Sequence, residues 1–188
     1  MDSYELEICK LKRKLPLIPI DDDMAYASFV ILGDVELVSA SAAELSKSIK
    51  DIDYIVTAEA KGIPLAFEIS KLLGLSEYIV IRKSVKTYMK EPLCEVVRSI
   101  TTKGSQHLYL DEDDAEKIKG KTICIVDDVI STGESLRAIE KLMARAGAVV
   151  KYKTAILAEG DAAKRDDILF LDKLPLFKKD DTGKYKEA

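Results

Sequence analysis

The sequence contains little cysteine and histidine: there are three cysteines and one histidine among 188 residues. Cys9, Cys94 and Cys124 are odd in number and far apart, and they form no CxxC pair or other metal-ligand spacing. This pattern argues against a disulfide framework or a zinc-binding module, and it is typical of a reduced, intracellular protein. His107 has no Cys or His neighbour at ligand spacing, so we expect a structural role for it.

The chain also lacks a basic excess, a long apolar run and any repeat. Its 33 acidic residues outnumber the 29 basic ones, giving a net charge of −4 and a pI near 5.2, which argues against nucleic acid as a main partner. No apolar run approaches the ~20 residues of a membrane span, and the start, MDSYELEICK, does not resemble a signal peptide. We therefore expect a cytoplasmic protein with no membrane partner, built as one domain with a sizeable core.

Hydrophobic patterning predicts an α/β fold. Residues 1–38 contain strand-like segments and are interpreted as a small N-terminal hood, whereas from residue 39 strands and helices alternate. The predicted strands are DYIVTA, EYIVIR, KTICIVDD and AVVKYKTAILA, and the predicted helices are AAELSKSIK (capped by Ser41), IPLAFEISKLLG and SLRAIEKLMARAG. This alternation indicates a central, mostly parallel sheet with helices on both faces.

Two further segments complete the predicted organisation. Between Arg82 and Gly120 no helix pattern holds, and two strand-like pieces predict a long two-stranded flap at about residues 84–106. The core is expected to cover residues 39–177, and residues 178–188 are expected to form a charged, frayed tail. Ligands of such sheets bind beyond the carboxyl ends of the strands.

The segment TICIVDDVISTGES places two adjacent carboxylates, Asp127 and Asp128, at such a strand end. A lone pair of acids often only terminates a strand, but neighbouring carboxylates repel, so an unoccupied structural role is unexpected. They can accept hydrogen bonds from ribose hydroxyls and help to hold Mg²⁺ through its waters. The turn at residues 131–135 opens a helix whose backbone N–H groups can bind a phosphate. A phosphorylated sugar with vicinal hydroxyls satisfies both halves of the segment.

This segment resembles the phosphoribosyl-diphosphate (PRPP) binding motif of type I phosphoribosyltransferases. The resemblance implies a type I phosphoribosyltransferase fold, a reaction of PRPP with a nucleobase, Mg²⁺ as cofactor and a homodimer. It gives Asp127 and Asp128 the catalytic role and indirect contact with the metal. It assigns PRPP ribose and 5′-phosphate binding to Asp127, Asp128, Val129, Ile130, Ser131, Thr132, Gly133, Glu134 and Ser135.

Two other segments resemble the diphosphate-binding parts of the same family. TAEAKGIPLAFEISKLLG is similar to the loop after the first core strand, and VIRKSV to the Arg-Lys pair that ends the second. The residues that the resemblance assigns to pyrophosphate are Glu59, Ala60, Lys61, Gly62, Arg82, Lys83 and Lys86. The alternative is a solvated basic face, but in an acidic protein, at strand ends and on the flap, a phosphate-binding role is favoured.

The base that the enzyme accepts is the least determined feature. The C-terminal KLPLF and the order of the hood segments resemble adenine enzymes, so adenine is favoured in a purine salvage reaction. Xanthine or hypoxanthine enzymes and, through Lys86, orotate enzymes are alternatives, as is a non-catalytic regulator that senses PRPP. Departures from the adenine pattern include Thr102 in place of a flap Glu, Lys61 in place of Arg, and Glu134 in place of a loop glycine. The base-binding residues and the general acid or base are not identified.

Overall fold

The computed structural model describes residues 2–97 and 106–188. The elements found in these residues are β1 (Ser3–Ile8), β2 (Leu11–Pro19), β3 (Met24–Ala27), α1 (Val35–Ser46), β4 (Tyr54–Ala58), α2 (Ile63–Leu72), β5 (Tyr78–Ile81), β6 (Leu93–Val97), β7 (Gln106–Leu110), α3 (Glu112–Ile118), β8 (Thr122–Ile130), α4 (Glu134–Ala146), β9 (Val149–Glu159), β10 (Leu169–Leu174), β11 (Leu176–Lys179) and β12 (Tyr185–Glu187). A short 3₁₀ helix, Gly160–Lys164, follows β9.

The central sheet has the strand order β10-β9-β8-β4-β5, and every neighbouring pair in it is parallel. Helices α1 and α2 pack on one side of it, and α3 and α4 on the other. Successive side chains of a strand point to opposite faces; accordingly, Ile55 joins the core on the α1 and α2 side, and Val56 joins the core on the other side. The predicted α/β architecture is confirmed.

The hood is an antiparallel sheet of order β1-β2-β3-β11-β12, so it contains strands from both ends of the chain. The prediction of a frayed tail for residues 178–188 differs from this arrangement. Strand β12 pairs with β11, with Glu187 opposite Phe177, and the N–H of Ala188 donates to the carbonyl of Leu176. The charges of residues 178–188 suggested a solvated end. Phe177 of β11, however, is buried in the core, and β12 pairs with the edge of β11 that faces away from β3.

Helix boundaries show two further differences. Helix α1 begins at Val35, not after Ser41: the Asp34 carboxylate caps it by accepting from Leu37 N–H at 3.1 Å, and Ser41 is buried within the helix. The predicted cap was wrong because Val35 is apolar but exposed, so the first turn does not follow the amphipathic pattern that marks a helix in the sequence. Helix α3, capped by Asp111, was not predicted because its acidic seven residues carry almost no apolar periodicity.

The flap contains the two predicted strands. Strands β6 and β7 form an antiparallel pair, and Arg82 bridges Tyr109 so that the pair is joined to the end of β5. The connection between them, including Thr102, lies outside the described residues. None of the helices in residues 2–97 and 106–188 is both long and apolar enough to cross a membrane.

Candidate active site

The carboxyl ends of β4, β5 and β8 meet at one edge of the parallel sheet. Ala58 lies opposite Ile81, and Glu59 N–H donates to the Ile81 carbonyl at 2.9 Å, so the loop after β4 begins beside the end of β5. On the other side, β4 pairs with β8, with Val56 opposite Ile125. The three charged segments that the sequence places at strand ends are therefore brought together. This edge is where ligands bind in parallel α/β sheets.

The two carboxylates at the end of β8 are closely coupled. Asp128 is only 3% exposed, and its Oδ2 lies 2.6 Å from Lys61 Nζ. Asp127 Oδ1 accepts a hydrogen bond from Asp128 N–H at 2.8 Å. Burial, followed by the neighbouring Asp128 carboxylate, raises the pKa of Asp127. The charge of Lys61 opposes this shift but does not cancel it, so a ligand that supplies further hydrogen-bond donors or positive charge is favoured here.

The buried carboxylate of Asp128 forms an ion pair with Lys61, whose Nζ lies 2.6 Å from Oδ2. The lysine side chain is 44% exposed, so the pair lies at the edge of the crevice.

The loop after β8 has the geometry of an anion cradle. Gly133 adopts a left-handed conformation with φ of 75°, which turns the chain into α4 beginning at Glu134. Arg137, in the first turns of this helix, donates through Nη2 to the Thr132 carbonyl at 3.1 Å. A small cavity of about 60 Å³ is lined by Asp127, Val129, Ile130, Ser131, Thr132, Gly133, Glu134, Ser135 and Leu136. The structure thus groups the predicted 5′-phosphate residues around one concavity.

The predicted diphosphate residues are organised by Glu59. Its carboxylate contacts Arg82 Nε at 2.7 Å, accepts from Lys83 N–H at 2.7 Å and lies 3.8 Å from Lys86 Nζ. The side chains of Arg82 and Lys86 are therefore held around one carboxylate. Lys83 is exposed, and only its backbone takes part in this cluster.

Gly62 brings the loop after β4 close to β8. A Cβ at this position would lie 2.3 Å from Thr57 Oγ1 and 3.2 Å from the Val126 carbonyl oxygen. The peptide between Glu59 and Ala60 is cis. The absence of a side chain at Gly62 allows the loop to lie against β8. In this position Lys61 extends over the end of β8, where it contacts Asp128 and comes within 3.5 Å of the Phe29 carbonyl.

The acidic pair fits the predicted Mg²⁺ in its chemistry. Carboxylate oxygens are the ligands that Mg²⁺ prefers, and it usually takes one or two from protein and the rest from water and substrate phosphates. Within residues 2–97 and 106–188, no group of three or more potential ligands forms a metal cage of its own. Asp127 and Asp128 are thus suited to indirect contact, through water or substrate, and the structure offers no stronger site in the described residues.

Of the residues that line a larger cavity beside this site, sequence reasoning identified Ser131 and Thr132 but not the others. This cavity has a volume of about 810 Å³ and lies between the hood and the loop after β8. Its walls include Ile20, Tyr26 and Leu176 from the hood and Arg137, Glu159 and Arg165 from the core. Arg137 follows the motif by a few residues and could have been found by its position. The other five lie in separate segments that only the fold assembles.

The parallel sheet, its carboxyl-edge crevice and the phosphate-type loop define an α/β protein of the class that binds ligands at strand ends. A family model described as a phosphoribosyl transferase domain matches residues 34–180. The hypoxanthine/guanine phosphoribosyltransferase of Methanocella paludicola is 33% identical over 162 residues, which span 86% of this chain and 78% of that protein.

Solved structures agree on the fold. Adenine phosphoribosyltransferase from Thermoanaerobacter pseudethanolicus superposes with a TM-score of 0.70 at 22% identity, covering 85% of this chain and 95% of that one. The Saccharomyces cerevisiae adenine enzyme, complexed with adenine and an imino-altritol bisphosphate, gives 0.64 at 21% identity, covering 84% and 93%. At these identities the likeness shows a shared fold.

The chain belongs to the phosphoribosyltransferase family, because the family model covers most of its length. It is an enzyme of the type I phosphoribosyltransferase fold, as the motif at residues 122–135 predicted.

Proposed function

We propose that this protein is a purine phosphoribosyltransferase that transfers the 5-phosphoribosyl group of PRPP to hypoxanthine or guanine, with release of pyrophosphate. The observation that carries the proposal is the meeting of Asp127 and Asp128, the 131–135 loop and the cluster around Glu59 at one sheet edge. A ribose bearing a 5′-phosphate at one end and a diphosphate at the other requires the loop for the phosphate, the acids for the ribose hydroxyls and the cations of the cluster for the diphosphate.

Each part of the site has a defined task in this reaction. Asp127 and Asp128 accept hydrogen bonds from the ribose hydroxyls, and the loop N–H groups bind the 5′-phosphate. The cations at positions 61, 82 and 86 stabilise the negative charge that develops on the departing diphosphate. Since the bond from C1 of the sugar to the diphosphate is largely broken before the base adds, positioning and exclusion of water are the remaining needs.

Mg²⁺, held indirectly by Asp127 and Asp128, would supply further positive charge on the diphosphate. These groups are paired with the protein's own side chains, as Lys61–Asp128 and Arg82–Glu59. Binding of PRPP is expected to separate both pairs, because the diphosphate attracts the cations and the hydroxyls satisfy the acid.

The choice of base follows from the curated relatives. Those at 33% identity over most of this chain are described as hypoxanthine/guanine enzymes, whereas the adenine enzymes are similar at 22% identity or lower in the structures above and carry the fold alone. The sequence-based preference for adenine remains a prediction, supported by the KLPLF segment and the hood order.

The test is pyrophosphate release from PRPP and Mg²⁺ with adenine, hypoxanthine, guanine, xanthine and orotate supplied one at a time. Turnover with hypoxanthine or guanine supports the proposal, and turnover with adenine alone restores the sequence-based preference. Turnover with orotate alone contradicts a purine enzyme. No turnover, together with stabilisation by PRPP in a thermal-unfolding assay, favours the PRPP-sensing regulator instead.

A further inference from the structure

Glu159 lines the large cavity between hood and core. Ile130 lies opposite Ala158 in the sheet, so Ser131 and Glu159 are the next residues of two neighbouring strands at the carboxyl edge. Both line the cavity of about 810 Å³, whose hood wall is formed by Ile20, Tyr26 and Leu176. In a nucleoside monophosphate bound by the 131–135 loop, one ribose separates the phosphate from the base, which places the base in this cavity.

The Glu159 side chain lacks an internal partner. Among residues 2–97 and 106–188, its carboxylate makes no hydrogen bond or ion pair, and the positive charge that acts on it is that of Lys61, which itself contacts Asp128. Burial raises the pKa of Glu159, and Lys61 opposes that shift. A half-buried carboxyl beside apolar hood side chains is under-solvated, so a ligand that donates hydrogen bonds to it is favoured.

The purine bases differ in the edge that they offer to such a group. Guanine presents two adjacent donors, the N1–H and the 2-amino group, and hypoxanthine presents the N1–H alone. Adenine presents an acceptor at N1 beside its 6-amino donor. An ionised carboxylate only accepts hydrogen bonds and can do so with both oxygens, whereas a primary amide has one acceptor and one donor. An ionised Glu159 therefore matches guanine at two points, hypoxanthine at one, and opposes adenine at N1.

We propose that Glu159 selects the base by accepting hydrogen bonds from the N1–H and 2-amino groups of a 6-oxopurine, with guanine preferred over hypoxanthine and adenine rejected. This inference rests on the proposed function for its ligand class. It adds a specificity-determining residue that the sequence motifs did not contain. It also predicts that a single isosteric change shifts the preference towards adenine, because the Gln amide can donate to N1 of adenine, which a carboxylate cannot do.

The experiment measures binding of GMP, IMP and AMP to the wild-type protein and to Glu159→Gln by calorimetry, without PRPP. The wild type is expected to bind GMP more tightly than IMP and IMP more tightly than AMP. In Glu159→Gln, we expect GMP binding to weaken roughly 10- to 100-fold, the range for losing a hydrogen bond to a charged group, while AMP binding strengthens. Asp161→Asn is the matched control, since it removes an equal charge from the same cavity at a side chain that is 93% exposed and paired with Lys164.

Binding of product nucleotides separates this inference from the proposed reaction. If the wild type binds GMP and AMP equally, or if Asp161→Asn and Glu159→Gln change binding alike, Glu159 does not select the base. If the preference shifts towards AMP in Glu159→Gln but no base is turned over, the inference stands and the proposed activity fails. Should Glu159→Gln not fold, Glu159→Leu provides the same test, with loss of GMP binding and no gain for AMP expected. Unchanged GMP binding in that variant overturns the inference.

Discussion

The buried carboxyl of Asp127 opposes folding at neutral pH, in a pair of acids that we propose binds the substrate. The carboxyl of Asp127 has its pKa raised by burial and by Asp128, so its ionisation in the folded state is unfavourable. A carboxyl whose pKa is higher in the folded than in the unfolded state adds to the stability of the folded protein below its ordinary pKa. That contribution is lost as pH rises through the pKa of the folded state. The ionised pair therefore lowers the stability of the folded protein, a cost that is common where residues are kept for function.

Asp127→Asn is therefore expected to stabilise the ligand-free protein increasingly from pH 5 to pH 8, and at the same time to weaken PRPP binding. The difference in free energy of unfolding should grow by at least about 1.4 kcal/mol, the equivalent of one pKa unit. Urea unfolding at both pH values, and the shift of Tm on adding PRPP and Mg²⁺, measure the two effects. Parallel pH dependence in the two proteins would falsify this account of the pair.

Gly62 is a second residue whose identity the site requires. Since a Cβ would lie 2.3 Å from Thr57 Oγ1, Gly62→Ala should displace the loop that carries Lys61. Overpacking of this kind costs about 1–3 kcal/mol, and we expect a raised KM for PRPP together with a lower Tm.

The double variant Thr57→Ala/Gly62→Ala is the control, because loss of the Thr57 side chain makes room for the new methyl group. It should recover part of both the stability and the PRPP affinity. If Gly62→Ala alone has the wild-type Tm and KM, the close approach of the loop to β8 is not needed for the site.

At the scale of elements, the flap pair β6–β7 is tied to the site through the end of β5. Arg82 bridges Tyr109 of β7 and also contacts Glu59, whose carboxylate lies 3.8 Å from Lys86 Nζ. The flap therefore begins inside the cluster that we assign to the diphosphate. Movement of the flap and binding of the diphosphate are expected to be linked through these contacts.

Lys86→Ala should raise the KM for PRPP by roughly 10-fold or more, since it removes a cation from the diphosphate site. Lys90→Ala is matched in charge and chain position, but Lys90 is exposed and contributes only its backbone N–H, to Asp111. Steady-state kinetics of both variants, with base saturating, provide the comparison. Equal effects of the two changes would show that net charge, and not the position of Lys86, matters.

Helix α1 shows how far element boundaries could be predicted. Its existence follows from the apolar pattern around residues 42–45, but its start depends on Asp34, which accepts from Leu37 N–H while also pairing with Arg13 of β2 at 2.6 Å. The capping contact itself is local, whereas the ion pair that holds the Asp34 carboxylate comes from Arg13, 21 residues away. Helix α3 was missed for a local reason, its lack of apolar periodicity, although its Asp111 cap also accepts from Lys90 N–H of the flap.

At the scale of the whole molecule, the two ends of the chain form one sheet. Strand β11 pairs with β3, and β12 completes the edge by pairing with β11, so Tyr185 and Phe177 contribute to the core beneath the hood. The hood wall of the large cavity, which includes Leu176, therefore depends on residues near both ends.

Removal of residues 180–188 should lower the Tm by about 2–4 °C or more, which corresponds to ~1 kcal/mol in a protein of this size. Hydrogen exchange should accelerate in β11 and β3, because β11 becomes an unprotected edge. Asp181→Ala, an exposed turn position in the same hairpin, is the control and should leave the Tm unchanged. A truncated protein as stable as the full chain would restore the frayed tail that the charge pattern suggested.

The sequence by itself determined the parallel α/β core, the family, and the acidic pair with its phosphate loop. Each of these depends on residues close together in the chain: short apolar strands, amphipathic helices, and a motif in which carboxylates and helix start are consecutive. The cavity between hood and core, which we propose binds the base, was decided only by the tertiary structure. Ile20, Tyr26, Glu159 and Leu176 come from distant segments. The pairing of β11 with β3 in the hood sheet, and the packing of that sheet against the core, bring them to one cavity. Long-range pairing of this kind is set by burial and register, which no local pattern records.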